Sequence, residues 1–446
     1  MNAQELMARI ASPSSDAVFA RLYGETAVAA NRARYLALAA DTLAAFGEAA
    51  SDLRVFTAAG RTELGGNHTD HNRGKVLAAA IQLDAIAFVS ARADSKVVFR
   101  SPRYPDVIVD LDELARRPDE EGSTEALVRG IAAEFAARGI AVRGFTANAV
   151  STVLSGSGLS SSAAIEVLIG TIFNELYAGG RLGPVELAQI GQKAENVYFG
   201  KPSGLMDQVA CAFGGAVAID FADPAHPLVR NVDFDLEASG WALCVVDTGG
   251  SHADLTADYA AVPAEMKEVA REFGVEVLRG IDRAALVSRS PSLRATTGDR
   301  ALLRAFHFFA ENDRVDGMLA ALERANAAGT DAAARATAVE DFLRLVAASG
   351  DSSWRLLQNI STPRLPGEQG VALALALTEE FLRAESGDGG FKGVCRVHGG
   401  GFAGTIQAYI RSDRVSAYVR WMGGAFGEKS VTQLRIRPVG AAELRF

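Results

Sequence analysis

The chain has 446 residues, too many for one ordinary domain and suited to two or three. Hydrophobic residues make up 49% and charged residues 22%, a globular composition that excludes a disordered chain. Asp and Glu outnumber Lys and Arg by 54 to 45, a formal charge of −9, which argues against nucleic acid or an anionic membrane as a partner held by bulk charge.

The first fifty residues are rich in Ala and Leu, and Tyr35, Leu38, Leu43 and Phe46 carry helical spacing. Strands are predicted at Leu53–Thr57, Ala85–Val89 and Val97–Arg100. A helix follows over Thr124–Arg138, with Ser123 as its cap and Gly139 just past its end. After a strand at Phe145–Val153 comes a Gly/Ser-rich turn, Leu154–Ser162, and then an apolar helix through Ile165, Ile169, Ile172 and Leu176 to Gly179. Pro184 opens a further helix with Leu187, Ile190, Ala194 and Val197 on one stripe. Gly214–Phe221 and Ala242–Asp247 read as strands, and the loop Ala222–Pro227 between them is the expected domain boundary. The second half alternates helices (Ala264–Phe273, Ala301–Phe309, Arg314–Ala327, Ala338–Ala348, Val371–Ala384) with a strand–turn–strand over Val394–Ile410. Two unequal runs of mixed strands and helices predict an α+β fold in two domains.

Cys211, Cys244 and Cys395 lie far apart, without a CxxC or a Cys/His cluster, so a reducing compartment is expected. No basic region precedes an apolar core at the amino terminus, and the apolar stretch Val76–Val89 is interrupted by Gln82 and Asp84 and too short to span a bilayer. A soluble cytoplasmic protein is expected.

Four stretches carry chemistry. Ser155-Gly-Ser-Gly-Leu-Ser-Ser-Ser162 stands between a predicted strand and helix. Its glycines allow close backbone approach, and the helix start offers unpaired N–H groups to an anion. No Lys-Ser or Lys-Thr follows, so it is not a Walker A loop, and Ser161 occupies the third glycine position of a dinucleotide fingerprint. Gly60–Asn72 crowds Arg61, His68, Asp70 and His71 beside glycines, a density that suits a sugar's hydroxyls, a metal or a solvated loop. Ala194–Gln208 brings Glu195 on the flank of a helix and Asp207, which read alone is a helix N-cap. Val397–Gly404 matches GxGxxG by count, but a strand follows it, so it reads as a turn pressed against a ligand or a backbone.

In this order the four stretches resemble the galactokinases of the GHMP sugar and metabolite kinase superfamily. Gly60–Asn72 is similar to the signature GRxxLxGEHTDY, Gly156–Ala164 to the phosphate loop, Glu195–Gln208 to the segment ending in GxMDQ, and Gly399–Gly404 to the carboxy-terminal glycine motif. The resemblance runs from about Arg54 to Tyr409 and leaves the first fifty residues without a counterpart. It implies a mixed α/β first domain (residues 1–225), a ferredoxin-like second domain (226–446) and an active site between them.

It also implies transfer of phosphate from ATP, with Mg²⁺, to the anomeric hydroxyl of galactose. Arg61 and Asp207 match the catalytic pair, and Ser162 and Glu195 the Mg²⁺ ligands. Gly156, Ser157, Gly158, Leu159, Ser160, Ser161 and Ser162 match the phosphate-binding positions. Asn67, His68, Asp70, Gly204 and Tyr259 match those at the sugar. Where the family has a glutamate before His-Thr-Asp, this chain has Asn67, and where it has an aromatic after that Asp, this chain has His71. Both bear on the sugar, so a kinase for a related sugar such as galacturonate is the alternative. A non-catalytic galactose and ATP sensor is the reading from another class.

Overall fold

The computed structural model describes residues 2–47, 52–102, 104–153, 158–250, 255–327, 329–384 and 391–446. It begins with three helices, α1 (Ala3–Ala11), α2 (Asp16–Tyr23) and α3 (Val28–Phe46). Asn2 and Glu5 cap α1 reciprocally, each side chain accepting the other's backbone N–H. Then come β1 (Arg54–Gly65), β2 (Lys75–Ala91), β3 (Lys96–Arg100), β4 (Val107–Asp110), α4 (Thr124–Ala137) and β5 (Phe145–Ser151). After these follow α5 (Ser161–Phe173), α6 (Pro184–Lys193), α7 (Met206–Phe213), β6 (Ala216–Asp220) and β7 (Leu228–Val232). These strands, with a late β12 (Ala442–Leu444), form an eight-stranded sheet of order β12-β1-β2-β5-β3-β4, in which β6 pairs with the near half of β2 and with β7.

Successive strand residues face opposite sides, and both sides of this sheet are covered. Phe56, Ala58, Ala87 and Val89 pack on Leu127, Ile131, Leu168, Ile172 and Ile190 of α4–α6. Val55, Ile86 and Phe88 pack on Leu6, Ile10, Phe19, Leu22, Tyr35 and Leu38 of α1–α3. The first helices thus have a physical role: they bury the sheet face that the other helices leave open.

The second half contains β8 (Trp241–Asp247), α8 (Thr256–Arg271), α9 (Arg283–Ser288), α10 (Ser290–Asn326), α11 (Ala332–Ser352), α12 (Gly370–Ala384), β9 (Gly393–Val397), β10 (Thr405–Arg411), α13 (Val415–Phe426) and β11 (Val431–Leu434). Its sheet is antiparallel, of order β11-β8-β10-β9, with Cys244 opposite Ala408. The two predicted helices Ala301–Phe309 and Arg314–Ala327 are one continuous element, because the polar residues between them stay in helical register and find partners, as Arg314 does with Glu311 at 2.7 Å. The bend in α10 lies earlier, at Gly298, with φ 83°. The loop Ala222–Pro227 joins β6 to β7 within the first sheet, and the chain passes to the second sheet only after β7. No helix among the described residues is long and apolar enough to cross a membrane.

β1 runs much further than its apolar start predicts, through Arg61 and Glu63 to Gly65. Its charged residues are buried because other elements supply counter-charges. Two register shifts against β2, at Ala59/Gly60 and Glu63/Gly65, bracket Arg61. Such irregularities bend a strand and re-aim its side chains. Buried contacts tie this part of β1 to the second sheet: Gln407 of β10 donates to Thr62 Oγ1 (2.8 Å) and to the Glu63 carbonyl (3.0 Å), and His398 lies 3.0 Å from Thr62 Oγ1.

Candidate active site

Arg61 and Asp207 meet at the end of the phosphate loop. Arg61 Nε and Nη2 donate to Asp207 Oδ1 and Oδ2 at 2.7 and 2.8 Å, a bidentate pair. Arg61 Nη1 also donates to the Gly158 carbonyl, and the Ser160 hydroxyl donates to Asp207 Oδ2. The Arg61 backbone N–H reaches the Leu159 carbonyl at 3.1 Å. Gly60 permits this approach, since a Cβ there would stand 3.0 Å from Val153 and 3.1 Å from that same carbonyl. Asp207 lies in the first turn of α7 but does not cap it; the cap position is Leu205, and the carboxylate is turned to Arg61 instead. Burial pushes the Asp207 carboxyl up, but the Arg61 guanidinium and the hydrogen bonds from Arg61 and Ser160 outweigh it and hold the group below the usual carboxylate range. Asp207 is therefore ionised at neutral pH, and with 31% of its side chain exposed it keeps one open edge.

The phosphate loop enters α5 with Gly158 at φ 69° and Ser160 at φ 60°, both left-handed. Leu159 is fully buried and anchors the turn, and Ser161 opens α5. Gly156 and Ser157 lie outside the described residues. Gly399 of the carboxy-terminal glycine turn sits against Gly158, where a Cβ would be 3.5 Å from its carbonyl oxygen. The turn expected to press on a backbone therefore presses on the phosphate loop.

Ser162, the second residue of α5, donates to Glu195 Oε1 at 3.2 Å. Glu195 stands in a π-turn, Ala194–Phe199, that continues α6 and ends at Gly200. Its carboxylate also accepts from Lys201 Nζ (2.8 Å), Ser203 and Gln208 Nε2 (3.1 Å). Gln208 bridges to the fully buried Glu166 at 2.9 Å, which burial and the Glu195 charge push well above the usual range. Motif matching passed over Lys201, Ser203 and Gln208, although all three stand in the same quoted stretch, and Glu166, one helical turn after Ser162. A carboxylate and a hydroxyl are hard oxygen donors of the kind Mg²⁺ takes alongside substrate phosphates and water. Ser162 and Glu195 fit that ion, and among the described residues no group of three His, Cys, Asp or Glu side chains converges as a closed metal site.

Beside this corner lies the loop after β1. Asp70 is packed against Gly204, where a Cβ would come within 1.7 Å of Asp70 Oδ2, so any side chain there would displace the Asp70 carboxylate. Its Oδ1 accepts the His71 N–H at 3.0 Å. His68 has φ 58°, and its Nε2 lies 2.9 Å from the Gly400 carbonyl. A carbonyl only accepts, so Nε2 carries the proton. Burial lowers the His68 pKa to about 3, which leaves the ring neutral with Nδ1 as an acceptor. Tyr259 donates to the Gly401 carbonyl at 2.8 Å, and its ring fills the space a side chain at Gly400 would need.

Asn67 is placed differently from its neighbours. Only 1% exposed, it has both ends of its amide engaged by protein. Nδ2 donates to Glu63 (3.1 and 3.2 Å) and to the Gly399 carbonyl (2.7 Å), and Oδ1 accepts from Asn359 Nδ2 at 2.9 Å. Glu63 is itself paired with buried Arg396. Burial raises the Glu63 carboxyl despite Arg396. Where the related signature carries a carboxylate at position 67, this chain has an amide hydrogen-bonded to the Glu63 carboxylate, four residues earlier. No local pattern in the sequence marks Asn359 or Arg396; the fold alone brings them in.

The galactokinase galactose-binding signature matches residues 43–91, and the GHMP kinase N-terminal domain matches residues 126–215, spans that hold the loop after β1 and the phosphate-loop corner respectively. The chain is 34% identical to a galactokinase of Streptomyces coelicolor over 385 residues, covering 86% of this chain and 91% of that one. It is 32% identical to a galactokinase of Mycobacterium tuberculosis over 407 residues, covering 87% and 99%. Its fold matches the crystal structure of Lactococcus lactis galactokinase complexed with galactose, with TM-score 0.74, 25% identity, and 92% and 99% coverage. With Arg61 and Asp207 paired beside the Gly/Ser loop and the glycine turn, and with these relatives, the chain belongs to the galactokinase family of the GHMP kinases.

Proposed function

We infer that the chain transfers the γ-phosphoryl group of ATP to the anomeric hydroxyl of galactose. The observation that carries this reading is Asp207, held ionised by Arg61 at the mouth of the phosphate loop with an edge left open. Phosphoryl transfer asks mainly for positioning and for neutralisation of phosphate charge. Asp207 supplies the first by accepting the hydrogen bond of the sugar hydroxyl. Its low basicity means that it takes the proton only as the new O–P bond forms and the hydroxyl acidifies. Arg61 keeps Asp207 charged and sets a guanidinium beside the moving group, while the backbone entering α5 faces the phosphates. Ser162 and Glu195 would hold the Mg²⁺ that accompanies ATP, and the ion would supply positive charge to offset that of the phosphates.

On the sugar side, Asp70 and the Nδ1 of neutral His68 are acceptors for hydroxyls, Gly204 sets Asp70 in place, and Tyr259 closes the glycine turn. Asn67 enters this reading as a positioning residue that joins the loop to Gly399. Because its N–H groups are spent inside the protein, it offers none to a sugar carboxylate, which favours galactose over galacturonate. The three free cysteines, two of them buried, suit a reducing cytoplasm.

The test is a coupled ADP-release assay with Mg²⁺ across free sugars. Galactose should give ADP and a product phosphorylated at carbon 1. A preference for galacturonate would correct the substrate, and no turnover with any sugar would make the chain a sensor.

A further inference from the structure

We propose that Lys201 is a built-in counter-cation of Glu195, displaced by the divalent ion and then free to meet the nucleotide's phosphates. The inference rests on the reading of Ser162 and Glu195 as the Mg²⁺ ligands.

A carboxylate has about four lone-pair sites, and Glu195 fills them with Ser162, Lys201, Ser203 and Gln208. An incoming cation must displace one of these donors. Ser203 and Gln208 hold the far oxygen, and Ser162 is the companion ligand. Lys201 shares Oε1 with Ser162 and brings the positive charge that a metal ion would duplicate. It is also the partner best able to leave: its side chain is 56% exposed, whereas that of Glu195 is 2% exposed. An ammonium that moves from a half-exposed contact into water or onto phosphate loses little solvation.

The base of the side chain stays fixed. The Lys201 N–H donates to the Glu195 carbonyl at 3.1 Å, Gly200 turns the chain at φ 85°, and Pro202 follows. The released ammonium therefore remains at the site, where its charge already helps hold Asp207 down, after burial and Arg61 have had their larger effects. Without metal Lys201 keeps the buried carboxylate paired, and with metal it becomes a mobile cation beside the transferring group.

The experiment titrates Mn²⁺, followed by electron paramagnetic resonance, and separately a metal-free, non-hydrolysable ATP analogue, followed by calorimetry. The proteins are the wild type, Lys201→Met, Lys201→Arg and Glu195→Gln, each checked for folding by thermal melting. Lys201→Met should bind Mn²⁺ about tenfold more tightly, the scale of one lost charge-assisted hydrogen bond, and bind the metal-free analogue more weakly. These opposite shifts distinguish exchange from damage, which weakens both. Lys201→Arg, which keeps the charge, should stay near wild type for Mn²⁺. If Lys201→Met binds Mn²⁺ no more tightly while Glu195→Gln abolishes the site, the metal reading stands and the role of Lys201 is refuted. If Glu195→Gln binds Mn²⁺ as well as wild type, the metal reading fails and this inference falls with it.

Discussion

Asp84 on β2 and Asp207 on α7 are both paired with arginine, and in both the pairing outweighs burial and holds the carboxyl below its ordinary range. Their surroundings differ in completeness. Asp84 accepts from Arg34 and Arg437 (each 2.6 Å), Tyr23 (2.5 Å) and Thr57 (2.8 Å), and is fully buried. Those donors come from α2, α3, β1 and the segment before β12, so one carboxylate fastens the first helices and the end of the chain to the central hairpin. Among the described residues, Asp207 accepts from Arg61 and Ser160 alone, and it keeps an exposed edge. The same pairing chemistry yields a structural anchor where the carboxylate is fully enclosed and, on the function proposed above, a reactive group where one edge stays open.

The largest way to break this comparison is Asp207→Asn. It keeps the shape and loses the charge, so turnover should fall by about 10³ or more while galactose binding by calorimetry stays within a few-fold and the melting temperature changes little. Next comes Asn67→Glu, which adds a carboxylate 3.1 Å from Glu63 inside a closed network. Like charges at that range cost roughly 4 kcal/mol at the effective dielectric of such a site, to be read as lost stability in urea melts. The exchange Glu63→Asn with Asn67→Glu should recover most of that loss, since it restores a single negative charge for Arg396 to pair with.

Asp84→Asn removes the counter-charge of fully buried Arg437 and of half-buried Arg34 and should destabilise the fold by about 3 kcal/mol. Its pH dependence has a definite sign. The folded pKa lies below the unfolded one, so Asp84 contributes stability above about pH 4 and loses it as the pH falls through the folded value. Stability measured on acidification should therefore fall less steeply in Asp84→Asn than in wild type. The smallest effect is expected from Gly204→Ala. The added methyl pushes Asp70 aside, and the KM for galactose should rise by about tenfold with kcat less affected.

How legible these features were in the sequence follows from whether their partners are local. The phosphate loop, Arg61, Glu195 and Asp207 stand in compact motifs whose order points to a kinase, and Ser123 caps α4 as its position predicts. The sequence pattern ends strand β1 at Thr57 because Arg61 and Glu63 look like surface residues until Asp207 and Arg396, 146 and 333 positions away, neutralise them. The first helices had no role in the sequence because what they cover, Val55, Ile86 and Phe88, reads simply as strand. Asn67 resembled a sugar contact because its loop does, but its amide partners Gly399 and Asn359 are far along the chain. The sequence reading has no counterpart for β4, β7, α9, α13, β11 and β12; β7 and β12 are short and partly exposed, with little periodicity to detect.

The most direct test of the central claim is turnover per folded molecule for Asp207→Asn and Asp84→Asn, measured side by side below both melting points with saturating galactose and MgATP. The account predicts that Asp84→Asn, once corrected for its unfolded fraction, phosphorylates galactose at close to the wild-type rate, while fully folded Asp207→Asn is nearly inactive. Near-native turnover in Asp207→Asn, or an equal loss per folded molecule in Asp84→Asn, would contradict it.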